Sequence, residues 1–92
     1  MDGHGTIVQR EGPAGTRPGL SGGPDLWEVI AMHRSFRDVR RTAEWLDQPV
    51  SAIETALRYY EAHQAEIDEW IRRNEEAAEA AERVAGARQA AS

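Results

Sequence analysis

The stretch QPVSAIETALRYYEAHQAEIDEWI, residues 48–71, decides the fold. Its first apolar residues recur at spacings of three, four and three, which is one face of an α-helix with a period of 3.6 residues. These residues are Val50, Ile53, Leu57 and Tyr60. Pro49 precedes them at a position where proline is tolerated, because the N–H that it lacks would have no partner in the first helical turn. The sequence therefore predicts a core-forming helix over residues 49–62.

Two shorter helices are predicted upstream of this stretch. Asp25 is a good N-cap residue and Glu28 follows three residues later, the spacing of a capping box, so a first helix is predicted over residues 25–34. Ser35 is the next candidate N-cap. The apolar spacing after it predicts a second helix over residues 36–46.

The second and third predicted helices are joined by a short turn, residues 47–48. Three helices with this spacing between the last two are typical of a helix-turn-helix domain. The predicted fold class is therefore all-α, with a tri-helical helix-turn-helix core over residues 25–63. Generic three-helix packing, with no role in reading a DNA groove, is the alternative, because the usual glycine of the turn is absent.

Residues 1–24 are predicted to form an irregular N-terminal arm. They contain seven of the eight glycines and three of the four prolines. Residues 6–9 are predicted to form one short strand, and residues 10–23 a loop or an extended arm. Two alternatives are open for this arm: a mobile terminus, or a segment that becomes ordered against a second copy of the chain.

Residues 64–92 are acidic and rich in alanine, and a long C-terminal helix is predicted from Ala65 to about Ala87. After Ile71 its apolar stripe is mostly alanine, which favours helix but buries little area. Such a helix is held weakly by its own chain, so this segment is predicted to bind a partner. The candidate partner-binding residues are Trp70, Arg73, Glu76, Arg83 and Arg88.

Composition and charge limit the classes of function. The 92 residues allow one small domain, and oligomerisation commonly stabilises domains of this size. There is no cysteine, no apolar run of membrane-spanning length and no signal-peptide pattern, so the predicted location is the cytoplasm. The net charge of −5 belongs mostly to the C-terminal segment, since residues 61–92 carry eight acidic and four basic residues.

No arrangement of residues predicts catalysis. The three histidines, His4, His33 and His63, lie in separate segments without the spacing of metal ligands. No nucleophile motif is present, and the glycine-rich stretch at residues 19–23 does not follow a buried strand as a phosphate-binding loop would. The sequence therefore predicts a binding protein that is not an enzyme and has no metal or cofactor.

One cluster of basic residues makes DNA a candidate partner. On a single helix, Arg34, Arg37 and Arg41 would share a face and would contact phosphates beside a groove. The predicted exposed side of the third helix completes the set, so the candidate DNA-binding residues are Arg34, Arg37, Arg41, Ser51, Thr55 and Arg58. Glu54 on the same side of the third helix opposes contact with a polyanion.

The three tryptophans lie at the edges of the predicted core. Trp45 lies off the apolar stripe of its helix, and Trp27 flanks that of the first helix. Large aromatic side chains at the edge of a small core often mark an interface. For Trp27, closing the core is an equally good interpretation.

A family resemblance is carried by residues 56–68. Residues 56–63, ALRYYEAH, followed by Glu66, Ile67 and Asp68, resemble the pattern A-L-x-Y-Y-x-x-H-x-x-E-I-D of domain-of-unknown-function family 433. Residues 15–17, GTR, resemble the G-T-R element of the same family. Members are small helix-turn-helix proteins similar to antitoxins, and they are often encoded next to a PIN-like ribonuclease.

The resemblance implies a homeodomain-like fold, dimerisation and the role of an antitoxin in a type II toxin–antitoxin system. The implied partner is a PIN-like toxin, which the C-terminal helix would bind and neutralise. The antitoxin would form a homodimer or a larger complex with the toxin, and this complex would also bind operator DNA. An acidic helix would complement the basic RNA groove of a nuclease. Arg83 or Arg88 would compete with Mg²⁺ at its cluster of carboxylates. The alternatives are a stand-alone helix-turn-helix DNA-binding regulator and a structural adaptor that assembles through its arm and tail helix.

Overall fold

The computed structural model describes residues 7–13 and 15–91, with side chains up to residue 87. The chain is mainly helical, with one short antiparallel sheet at its N-terminus. Its elements are β1 (Ile7–Gly12), β2 (Gly15–Leu20), α1 (Leu26–Phe36), α2 (Val39–Leu46), α3 (Val50–Ala62) and α4 (Gln64–Ala91). Within this part of the chain, no helix is long and apolar enough to cross a membrane.

Residues 7–12 and 15–20 of the N-terminal arm form a β-hairpin. The predicted strand over residues 6–9 therefore matches the start of β1, whereas the prediction of a loop or an extended arm over residues 10–23 is wrong for residues 10–12 and 15–20. Strands β1 and β2 pair antiparallel, from Ile7 opposite Leu20 to Gly12 opposite Gly15. Gly15 has a backbone φ angle of +115°, which residues other than glycine rarely adopt. The hairpin is ordered by its own chain, because Leu20 is part of the core. The predicted start of the strand at Thr6 lies outside the described residues.

The boundary between α1 and α2 lies later than predicted. Helix α1 continues through Phe36 and ends at Arg37, whose backbone adopts the left-handed conformation with a φ of 53°. Helix α2 begins after Asp38, whose carboxylate accepts a hydrogen bond of 3.0 Å from the backbone N–H of Arg41. Ser35 is therefore an interior residue of α1 and not an N-cap, because the carboxylate of Asp38 caps the next helix instead.

The turn between α2 and α3 is confirmed over residues 47–49. Asp47 takes the left-handed conformation, with a φ of 56°, that a glycine would usually provide. The backbone N–H of Gln48 donates to the carbonyl of Ala43 at 2.9 Å, which closes the end of α2. A short polar residue thus replaces the missing turn glycine.

The hydrophobic core lies where α1, α2, α3 and the start of α4 meet under β2. Helix α3 is rotated relative to its predicted orientation: Ile53 is fully buried with Ala52 and Ala56, whereas Val50 is 39% exposed. Leu57 and Tyr60 pack against the core only in part. Alanine side chains let helices approach closely, so the alanine side of α3 is the one that faces its neighbours.

Helix α4 has two unlike halves. Its first two turns belong to the core, because Ile67 and Ile71 are buried there. Residues 75–87 are all exposed, and this segment is called the tail. The helix has 28 residues, so it is about 42 Å long at the usual rise per residue. The predicted partner-binding segment, residues 64–92, therefore begins inside the core.

Candidate interaction surfaces

The hairpin is held to α1 by a cluster around Asp25. The carboxylate of Asp25 accepts hydrogen bonds from the guanidinium groups of Arg10 and Arg17, both at 2.5 Å, and from the indole N–H of Trp27 at 3.2 Å. Arg10 also donates to the backbone carbonyls of Leu20 and Gly23. Asp25 is only 8% exposed, so this cluster explains how an otherwise small hairpin is fixed to the helices.

The cluster has a steric requirement at Gly19. The guanidinium of Arg10 lies across this residue, and a Cβ atom there would overlap it. Sequence reasoning identified Asp25 only as an N-cap, a role that the structure confirms: the Glu28 carboxylate accepts a 3.0 Å hydrogen bond from the backbone N–H of Asp25. Of the other members of the cluster, only Arg17 had been singled out in the sequence, as part of the GTR element.

A second polar cluster ties α4 to α1 and α3. Arg34 donates to the hydroxyl of Tyr60 at 2.8 Å and to the carboxylate of Asp68 at 2.5 Å. The Tyr60 hydroxyl in turn donates to Asp68 at 2.8 Å. The hydrogen bond from Tyr60, and next that from Arg34, holds the pKa of the Asp68 carboxyl below its usual range.

These contacts change the predicted DNA-binding strip. The helix break at residues 37–38 separates Arg34 from Arg41, so the arginines do not share one helix face as predicted. Arg34 is paired with Asp68. On α3, Ser51 and Arg58 are exposed and Thr55 is half-buried, with Arg58 donating to the Thr55 hydroxyl at 3.2 Å.

Arg41 lies beside a pair of aromatic rings. Trp45 is 67% exposed and meets Phe36 edge to face, with ring centroids 5.9 Å apart. The Arg41 guanidinium lies 5.0 Å from the Phe36 centroid. A shallow cavity of about 290 Å³ lies between these residues and Glu44. This surface carries charges of both signs, because the exposed Glu44 lines the cavity together with Arg41.

The other two tryptophans lie at the junction of α1 and α4. Trp27 packs against the core, as expected if it closes the core, and the interpretation that it marks an interface stays a prediction. Trp70 is half-buried, and the Arg73 guanidinium lies 5.3 Å from its ring centroid. Two shallow grooves, of about 280 and 290 Å³, meet at Trp27 and Asn74 and lead to the start of the tail.

The predicted partner-binding residues are distributed along α4 and form no single cluster. Arg72 bridges Glu69 and Glu76 through contacts of 2.5 and 2.6 Å. Hydrogen bonds from Arg72, and next from Arg73, lower the pKa of Glu69 to about 2. Arg83 is exposed on the tail. The side chain of Arg88 lies outside the described residues.

Among the described residues, no group of three histidine, cysteine, aspartate or glutamate side chains is close enough to hold a metal ion. The exposed features are a surface of arginines, carboxylates and aromatic rings around α2, and the acidic tail of α4.

Comparisons with known proteins assign no function to these surfaces. No protein-family model, no curated protein and no solved structure matches the chain. The resemblance to domain-of-unknown-function family 433 therefore stays a prediction.

Proposed function

We propose that this protein is the antitoxin of a type II toxin–antitoxin system, and that its tail binds and neutralises a PIN-like ribonuclease. The observation that carries the proposal is the contrast within α4: Ile67 and Ile71 are buried, whereas every residue from 75 to 87 is exposed. A helix that extends beyond its own core in this way can bind in a groove of another protein.

The base of α4 is well suited to hold such a segment in place. Ile67 and Ile71 pack in the core, and Asp68 is tied to Arg34 and Tyr60. Beyond these contacts, a salt bridge from Arg72 to Glu76 joins the base to the tail. The rest of the tail relies on helix propensity, which is marginal for short helices in water. A partner that orders the tail would therefore gain the contacts that its own chain does not make.

The charges of the tail fit a nuclease partner. Residues 75–82 carry four glutamates and no basic residue, which complements a basic groove that binds RNA. Arg83 and Arg88 follow this acidic run. In a PIN-like active site an arginine would pair with the carboxylates that otherwise hold Mg²⁺.

The test first searches the reading frames beside this gene for a PIN-like nuclease, which is then produced separately and assayed on a single-stranded RNA. The full chain is expected to inhibit cleavage, and Arg83→Ala/Arg88→Ala to weaken inhibition by about tenfold or more. The matched control is Arg37→Ala/Arg58→Ala, which removes two arginines outside the tail and should inhibit like the wild type.

Each outcome has a separate meaning. Full inhibition by the tail double variant removes the arginine mechanism and leaves the tail as the binding segment. Absence of a nuclease reading frame beside the gene, or a nuclease that does not bind the full chain, would contradict the antitoxin proposal itself.

DNA binding is a second candidate function, and the α2–α3 turn favours it. Three residues join the two helices, the spacing of a homeodomain-like helix-turn-helix, and Arg40, Arg41 and Arg58 are exposed nearby. Binding to DNA from upstream of the gene should weaken steeply as salt rises, and Arg40→Ala/Arg41→Ala should reduce that salt dependence. Binding that does not depend on salt would contradict it.

A further inference from the structure

The line of residues by which α4 packs into the core continues along the tail. We call this line the seam, and it comprises Ile67, Ile71, Asn74, Ala78, Ala81 and Ala85. The spacings alternate between four and three residues, which is the pattern of the contact line in a coiled coil. The two isoleucines are buried, whereas the three alanines are exposed. Alanine lets a second helix approach closely, so the outer half of the seam is a helix-packing surface without a helix on it.

The seam has one acidic border and one apolar border. The acidic border, called the acidic row, comprises Asp68, Glu75 and Glu82, which lie seven residues apart and each follow a seam residue. The other border, also with a spacing of seven, comprises Trp70, Ala77 and Val84. In coiled coils, charged residues at such border positions pair with opposite charges on the neighbouring helix and select the partner.

The contact between α1 and α4 shows how this row is satisfied within the chain. Arg34 of α1 pairs with Asp68 at 2.5 Å. Trp27, seven residues earlier in α1, lines a groove of about 290 Å³ together with Glu75, so the two helices run antiparallel. Helix α1 starts one residue before Trp27 and therefore has no residue left to face Glu82.

The unsatisfied charge around the outer seam is negative. The neighbouring basic side chains all form ion pairs within the chain, namely those of Arg17, Arg34, Arg72 and Arg73. The ion pairs within the described part of α4 do not include Glu75 or Glu82. Residues 75–87 carry four glutamates and one arginine, so this surface attracts positive charge.

We propose that the outer seam and the acidic row bind a basic amphipathic helix of a partner protein, which continues the packing of α1 along α4. Apolar side chains of that helix would cover the alanines of the seam. Lysine or arginine residues seven apart would pair with Glu75 and Glu82, as Arg34 pairs with Asp68. The exposed part of α4, residues 75–87, is about 20 Å long and accommodates three to four turns of such a helix.

The charge pattern disfavours a second copy of this chain as the occupant, since two tails packed antiparallel would bring their acidic rows together. The inference rests on the proposed function for the identity of the partner, which would then be a helix of the nuclease. It does not rest on that function for the chemistry that the helix must carry.

The experiment measures how synthetic peptides, labelled with a fluorophore, bind the full chain by fluorescence anisotropy. The basic amphipathic peptide carries leucine and alanine on one helix face and lysine on the other. One control peptide has the same composition in a scrambled order, and a second has glutamate in place of lysine. The basic amphipathic peptide is expected to bind more weakly as salt rises, and both controls to bind at least about tenfold more weakly than it does.

Two alanines of the tail provide a matched pair of variants. Ala78→Arg places a guanidinium in the seam and should weaken binding by about tenfold or more. Ala80→Arg adds the same charge on the opposite side of the helix and should bind within about twofold of the wild type. Both positions are exposed, and circular dichroism verifies that each variant is folded.

Reversal of the acidic row tests the charges separately from the seam. Glu75→Lys/Glu82→Lys should weaken binding of the basic peptide by about tenfold or more. Glu54→Lys/Glu61→Lys makes the same change in net charge at two exposed positions of α3 and should bind like the wild type.

Four results would overturn the proposal. They are absence of binding by the basic amphipathic peptide, equal binding by the scrambled peptide, equal effects of Ala78→Arg and Ala80→Arg, and a tail that pairs with a second copy instead. The last would appear in light scattering as a dimer that Ala78→Arg converts to a monomer. The assay contains no nuclease, so a bound peptide beside a nuclease that does not bind the full chain would contradict the antitoxin proposal alone. Inhibited nuclease without any peptide binding would contradict this inference alone.

Discussion

The base of α4, residues 64–74, and its tail, residues 75–87, are parts of one helix held by different forces. The base contributes Ile67 and Ile71 to the core and Asp68 to a cluster with two other helices. The tail makes no such contacts among the described residues, and its exposed side chains are mostly alanine and glutamate. The comparison shows that helical structure and tertiary anchoring are separable properties, even along a continuous helix.

The largest effect is expected from Ile67→Ala at the base. Ile67 is 0% exposed, and removing a buried isoleucine side chain leaves a cavity, so the free energy of unfolding should fall by about 2–5 kcal/mol. The matched variant Val84→Ala in the tail, where Val84 is 52% exposed, should change it by less than about 0.5 kcal/mol. Urea unfolding followed by tryptophan fluorescence measures both. Equal losses of unfolding free energy at the two positions would show that the tail is anchored as firmly as the base.

A smaller effect is expected from Asp25→Asn, which tests whether the charge cluster around Asp25 contributes to the free energy of unfolding as the core does. Asparagine cannot balance Arg10 and Arg17, so the free energy of unfolding should fall by about 1–3 kcal/mol. Glu75→Gln, at the start of the tail, is the control and should be close to neutral. If Asp25→Asn were also neutral, the hairpin would be attached by Leu20 rather than by the ion cluster.

The Asp68 cluster predicts a pH dependence that the tail does not share. The pKa of Asp68 in the folded chain lies below its ordinary value of 3.8, so its contribution to stability is complete above that pH. It is lost as the pH falls through the folded-state pKa. Asp68→Asn should therefore be less stable than the wild type at pH 7, and the difference should shrink below about pH 4.

Glu69 titrates in the same acid range, with a pKa of about 2, so only the difference between wild type and Asp68→Asn isolates the cluster. Unfolding in urea at a series of pH values between 2 and 7 provides this difference. A difference that stayed constant across the range would show that Asp68 acts through packing and not through its charge.

The smallest effect on global stability is expected from Ala78→Gly/Ala81→Gly in the tail. Each glycine costs about 1 kcal/mol of local helix stability, but the tail is not coupled to the core. The midpoint of urea unfolding should stay unchanged while the helical signal in circular dichroism falls. Hydrogen exchange should be fast over residues 75–87 and slow at Ile67 and Ile71. A large drop in the unfolding midpoint would show that the tail packs on another surface.

Much of the helical fold was predictable because it depends on local rules. The capping pair Asp25 and Glu28, the turn at Asp47 and the extent of α3 follow from short-range patterns, and the structure confirms them. The second helix was placed too early, because Ser35 and Asp38 are both good N-cap residues and the sequence does not show which of them begins the second helix.

The hairpin and the polar clusters were not predictable from local patterns. Strand β2, GTRPGL, lacks the alternation of a strand, and it is ordered by pairing with β1 and by Arg10 and Arg17 on Asp25. Arg34 was assigned to DNA from its neighbours in sequence, whereas its partners Tyr60 and Asp68 are 26 and 34 residues away. Contacts between residues so far apart in the chain cannot be predicted from a short window of sequence.

The sequence by itself determined which segments become helices, where the charge lies and that the C-terminal segment is short of large apolar residues, since these follow from propensity, periodicity and composition. Only the tertiary structure decided which side of α3 is buried, which arginines are held in ion pairs and how far along α4 the core extends. Those outcomes depend on how closely four helices and a hairpin approach one another. That approach is set by side-chain volumes and partners that are distant in the chain.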